Sequence, residues 1–159
     1  QNEQSTAHVA RLDDGGFAVV WIGPDPEGNG WVVFGKLYDA DGSVRVGETQ
    51  LTEDALAYAQ HDVPRVAGTS DGGFALAFAS YGYPGGQTAD NADYSRGIYA
   101  QTFGADAQPL ENTPPLQVNT FSLGDQTMPG LARLSDGRLV VTWMSQDHRA
   151  NYLYSDDVY

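Results

Sequence analysis

The chain has 159 residues, 41% apolar and only 18% charged, a balance that excludes a disordered polyelectrolyte and supports a packed core. Its net charge of -13 and single lysine, Lys36, exclude a nucleic-acid or anionic-membrane surface, which needs a basic stripe to displace counterions. Cysteine is absent, which removes disulfides, thiolate catalysis and cysteine-type zinc sites together and makes calcium, held by loop carboxylates, the expected staple.

No run approaches the roughly 18 apolar residues that span a bilayer. The opening segment QNEQSTAHVA is polar and lacks a basic start, so an export signal is expected to have been removed or to lie elsewhere in a longer parent.

From the start of the chain, a short strand is expected over His8 to Leu12, followed by an Asp-Gly hairpin turn at Asp14-Gly15. Phe17 to Trp21 is apolar on both faces, which suits a strand buried between two layers. A glycine-rich loop then leads to a third strand near Trp31. The Asp39-Ala-Asp-Gly42 turn opens a more polar fourth strand near Arg45 to Leu51.

This unit recurs. AHVARLDDGGFAVVW (Ala7 to Trp21), PRVAGTSDGGFALAF (Pro64 to Phe78) and PGLARLSDGRLVVTW (Pro129 to Trp143) align without gaps. Asp14, Asp71 and Asp136 coincide, as do Gly15, Gly72 and Gly137, and Trp21, Phe78 and Trp143. A glutamine recurs just upstream, as Gln4, Gln60 and Gln126. The second half repeats more loosely, VFGKLYDADG against IYAQTFGADA and TQLT against LQVNT.

Four strands per unit, buried within and polar last, predict an all-β fold of β-propeller-like blades, each a four-stranded antiparallel meander. A β-solenoid or a sandwich is the competing architecture. The reading is one repeat domain over 1–159, with blade 1 at 7–52, blade 2 at 63–120 and a partial blade 3 at 128–159. Val158-Tyr159 aligns with Ile98-Tyr99, so the third unit is expected to be cut within its third strand. A ring needs about 4 to 8 blades. The remaining blades are therefore expected from a longer parent chain, with assembly of identical copies as the second route.

The quoted segments ARLDDGGFAVVW, KLYDADGS, GIYAQTFGADAQ, LQVNT and ARLSDGRLVVTW resemble a repeat of about 60 residues found in large secreted bacterial proteins of the RTX-type and adhesin-like, calcium-associated kind. The resemblance covers nearly the whole chain. It implies secretion or display on a bacterial surface, and calcium binding by the parent. The nonapeptide GGxGxDxUx of calcium β-rolls is absent.

Among candidate sites, Asp25, Glu27 and Asn29 alternate in the loop between the second and third strands and end on Gly30, like the first half of an EF-hand-type calcium loop. The distal glutamate of that motif is missing. The same loop of the later units holds Tyr83, Tyr152 and Tyr154 beside carboxylates, a combination that stacks on a sugar face and accepts hydroxyl protons. Asp14, Asp71 and Asp136 read as turn residues, and Trp21, Phe78 and Trp143 as packing between blades. His8, His61 and His148 share no register. No nucleophile elbow, phosphate loop, dinucleotide fingerprint or paired-histidine motif is present.

The leading expectation is a non-enzymatic structural or binding module of a large secreted protein, with calcium as the expected cofactor. Glycans or cell-surface components are the expected partners, and neither nucleic acid nor membrane insertion is expected. The alternatives are a lectin-like carbohydrate-binding propeller and part of a propeller-type glycan hydrolase.

Overall fold

The computed structural model describes residues 4–28, 30–52, 61–81, 95–110, 115–120, 124–146 and 156–158; at 61, 62, 81 and 156–158 the backbone alone is described. These residues form strands and no helix. The first sheet runs β1 (Ser5–Arg11), β2 (Phe17–Pro24), β3 (Trp31–Tyr38), β4 (Val44–Gln50). The second runs β5 (His61–Gly68), β6 (Phe74–Tyr81), β7 (Arg96–Phe103), β8 (Leu116–Gln117). The third pairs β9 (Gln126–Arg133), β10 (Leu139–Gln146) and β11 (Asp156–Val158). Every pairing is antiparallel and every sheet follows chain order. The first strands stand side by side, β1 against β5 and β5 against β9. This is the arrangement of consecutive β-propeller blades, inner strands along the axis.

The turn chemistry sets this topology locally. Asp13-Asp14-Gly15 is a three-residue hairpin loop. The Gly15 N–H donates to the Leu12 carbonyl at 3.1 Å, and Gly15 takes a left-handed φ of 92°. Asp14 Oδ1 accepts the Gly16 N–H at 2.9 Å, Asp71 the Gly73 N–H at 3.3 Å, and Asp136 the Arg138 N–H at 3.1 Å. The second glycine of the DGG motif has a different task. A Cβ on Gly16 would lie 2.4 Å from the Tyr38 carbonyl oxygen, and one on Gly73 2.1 Å from that of Phe103. These positions let the third strand close onto the second. In the third unit the place is held by Arg138, and no described strand lies opposite it.

The β3–β4 turn repeats between β7 and β8 with two substitutions, Gly104 for Asp39 and Ala107 for Gly42. Gly42 (φ 85°) donates to the Asp39 carbonyl, and Ala107 (φ 60°) donates to that of Gly104. Alanine holds the left-handed position because its methyl group is buried in the core there.

Alternation along β2 places Ala18, Val20 and Ile22 in the core between the first two blades. On the opposite face Phe17 stacks on Tyr38 and Trp21 on Phe34. Blade 2 repeats both pairs, as Phe74–Phe103 and Phe78–Tyr99. One feature of the backbone recurs in all three units without a sequence signature. Thr6, Val63 and Met128, which share one register, have φ of 51°, 48° and 50°, and the pairing of each innermost strand shifts beside them. Each blade thus carries a bulge at the same point of its axial strand.

Candidate functional site

The strand register separates two ends of the blades. Ser5 lies opposite Ile22 and Pro24 opposite Trp31, so the start of β1 and the β2–β3 loop share one end, here the loop end. The Asp-Gly turns mark the other, the turn end. All three bulges sit toward the loop end, and so does the main cluster of buried polar side chains.

That cluster joins blade 2 to blade 3. Asn119 Oδ1 accepts the Ile98 N–H at 2.8 Å, and its amide donates to Gln126 Oε1 at 2.9 Å. Gln126 in turn donates to the Gly124 carbonyl at 2.9 Å and to Ser145 Oγ at 3.3 Å. Beside it the Arg96 N–H donates to Asp125 Oδ1 at 2.9 Å, and its guanidinium reaches Oδ2 at 3.1 Å. Within blade 1, Thr52 Oγ1 takes the part of Asn119, accepting the Val33 N–H at 3.0 Å. The signal for this cluster was in the sequence as the paired LQVNT and glutamine repeats, but nothing there joined them. Gln4 and Gln126 each stand ten residues before their turn aspartate, whereas Gln60 stands eleven before Asp71 and lies outside the described residues.

Blades 1 and 2 are joined by His8, whose Nδ1 accepts the Val66 N–H at 3.2 Å. That bond requires the neutral ring with its proton on Nε2. Burial lowers the His8 pKa below its ordinary value, and the Arg65 charge lowers it further. At the turn end the Gly16 N–H, with the Arg45 guanidinium, holds the Asp14 carboxyl below the usual carboxylate range. Arg45 reaches Asp14 at 2.6 Å and Asp39 at 2.8 Å, tying the two turns of blade 1 together. Arg133 of blade 3 reaches Asp13 of blade 1 at 2.7 Å. The carboxylates of these turns act on backbone and arginine.

Asp25 is buried at the head of its loop, where its N–H donates to the Gly30 carbonyl and its carbonyl accepts the Gly28 N–H, both at 2.9 Å. Glu27 is exposed, and Asn29 lies outside the described residues. Among the described residues no three His, Cys, Asp or Glu side chains come together to hold a metal ion. Asp25 and Glu27 therefore supply at most two carboxylates there, one buried and one in solvent. Tyr83 falls between β6 and β7, and Tyr152 and Tyr154 between β10 and β11, all three outside the described residues.

Phe78 is buried between blades, whereas Trp21 at the same register is half-buried. Trp21 borders an open groove of about 580 Å³ lined also by Gln4, Val19, Lys36, Tyr38 and Glu48. Lys36 Nζ sits 5.4 Å from the Tyr38 ring centroid, a cation–π contact.

No family model and no curated protein matches the chain. Two solved structures are similar to it. One is an endo-arabinase from Bacteroides thetaiotaomicron VPI-5482, with a TM-score of 0.59 and 11% identity over 98% of this chain and 55% of that one. The other is a thermostable family-43 glycoside hydrolase, with a TM-score of 0.53 and 13% identity over 90% of this chain and 49% of that one. The chain spans about half the length of the structures it matches, and the likeness is one of fold.

Proposed function

We propose that the chain is a run of blades from a β-propeller that hydrolyses glycans. The observation that carries this reading is the superposition of nearly the whole chain on half of two glycoside hydrolases. The bulge repeated on each axial strand supports it, since bulges re-aim side chains and gather next to active sites. Glycoside hydrolysis needs two carboxyl groups about 5 to 9.5 Å apart, one to protonate the leaving oxygen and one as base or nucleophile. At the loop end of the axial strands this chain offers Asp125, oriented by Arg96, while Asp62 lies on β5, one position before the bulge residue Val63. The test is sugar release from a panel of arabinan, xylan and other plant and bacterial polysaccharides by the whole propeller. Release that is lost in Asp62→Asn is the expected result; a panel left intact by a folded ring overturns the reading.

A second reading, a non-catalytic structural or glycan-binding module of an extracellular bacterial protein, is favoured by one observation. Asp125 and the turn aspartates Asp14, Asp71 and Asp136 are engaged by their own backbone or by arginine, as structural acids are. Calcium at Asp25 and Glu27 would fit either reading and predicts a melting temperature that falls on chelation.

A further inference from the structure

The axial strands carry a charge balance opposite to that of the whole chain. In a protein of net charge -13, β1, β5 and β9 hold three arginines, Arg11, Arg65 and Arg133, against one acid, Asp62. Acids are in excess over the rest of the chain, and the other described arginines find them. Arg45 bridges Asp14 and Asp39, Arg96 binds Asp125, Arg133 binds Asp13 and Arg138 binds Asp136. Arg11 acts on Asp13 through its charge. Arg65 is the exception. It is half-buried, and among the described residues its guanidinium makes one hydrogen bond, from Nη1 to the carbonyl of its own neighbour Pro64 at 3.0 Å, and no ion pair.

A second donor stands beside it. His8 occupies the register of Arg65 on the adjacent axial strand, close enough for the Arg65 charge to act on its ring. Its Nδ1 is committed to the Val66 N–H, so the ring is neutral and its Nε2–H has no acceptor among the described residues. The third unit places Gly130 at the same register and adds no side chain there. Both donors lie where β1 meets β5, at the junction of blades 1 and 2, and not on the outward face of the first or the last blade. A guanidinium offers five N–H donors in a planar fork that grips a carboxylate two at a time. With one of them on Pro64, the fork is open to a ligand.

We propose that Arg65 and His8 form an axial subsite for the carboxylate of an acidic sugar, so that the glycan taken by the propeller carries uronate residues; this rests on the glycan-hydrolase reading above. Asp62, offered there as a reacting carboxyl, lies three residues along the same strand toward the loop end, roughly 10 Å away. A sugar held at Arg65 therefore neighbours the bond to be cut. The overall negative charge repels anions from arbitrary surface positions, so an anion that binds here reports a site.

The test is titration of the purified chain with trigalacturonate and with its neutral methyl ester, followed in NMR spectra by the Val66 amide and the His8 imidazole. The acid should bind about tenfold more tightly than the ester and shift both signals. Arg65→Gln should abolish that preference, whereas Arg138→Gln, which removes the same charge from an exposed turn, should keep it. Melts of both variants verify folding. If Arg65→Gln melts early, Arg65→Lys, which keeps the charge and loses the fork, should fold and lose most of the preference. Equal binding of acid and ester, no binding of either, or a preference lost equally in Arg138→Gln overturns the proposal. Inorganic phosphate that shifts the same signals and displaces the trimer at equal concentration assigns the seat to a free anion and overturns the sugar class. Sugar release by the whole propeller separates this subsite from the reading it rests on. Release from neutral polysaccharides alone sinks the subsite and keeps the hydrolase, whereas acid binding without any release keeps the subsite and sinks the hydrolase.

Discussion

At the turn end the aspartate of each hairpin is satisfied within two residues of chain, with Arg45 and Arg133 adding longer-range pairs to blade 1, whereas the buried amides of the loop end are satisfied across blades. Asp14, Asp71 and Asp136 each accept an N–H two residues on, and the adjacent glycine closes the hairpin. Asn119, Gln126 and Ser145 are instead brought together from the end of one blade and the first two strands of the next. The difference teaches where information lies. Local bonding makes the turn end of every unit nearly identical, while the loop end depends on what its neighbour presents and is free to diverge.

The largest expected effect breaks the turn end. Gly73→Ala puts a methyl group 2.1 Å from the Phe103 carbonyl oxygen, so β7 must move from β6. A loss of about 3 kcal/mol is expected, read as a lower urea midpoint.

At the loop end, Gln126→Leu leaves the buried amide of Asn119 without its acceptor. This should cost about 1–3 kcal/mol, whereas Gln4→Leu at the same register costs almost nothing in the dilute chain. Equal losses at the two glutamines would show that the bond between blades is not what stabilises the loop end.

The smallest effect sharpens the comparison through pH. His8 has a folded pKa below its unfolded value of 6.5, so between those two values the unfolded chain binds more protons. Stability is then fully present above pH 6.5 and falls as pH drops toward the folded value. The melting temperature should be lower at pH about 5.5 than at about 7.5. His8→Gln should flatten that part of the difference, since an amide oxygen can accept from Val66 at either pH.

How much was legible in the sequence follows the same division. The four-stranded meanders, the turn roles of the three aspartates and the burial of Phe78 were readable because turn chemistry and alternation are local. Strand limits were less so: β1 begins at Ser5 and not His8 because the bulge lets pairing continue past it. That bulge had no signal, since threonine, valine and methionine do not advertise a left-handed backbone. The alternating acids of Gly23 to Gly30 read alike in the sequence, and only the fold shows that Asp25 is buried and Glu27 exposed, a distinction spacing alone does not carry. Trp21 read as a core residue by its register with Phe78. It is half-buried because burial of that position belongs to the neighbouring blade and not to its own.

Among the described residues blade 2 is covered on both faces and its two neighbours on one, which orders these blades in time as well as in space. In stacked repeats each unit draws its protection chiefly from those on either side. Amide hydrogens of β6, enclosed throughout, should therefore exchange only through global opening. Those of β2 and β10 should exchange sooner, through local excursions that peel the outer blades away and leave the middle one standing.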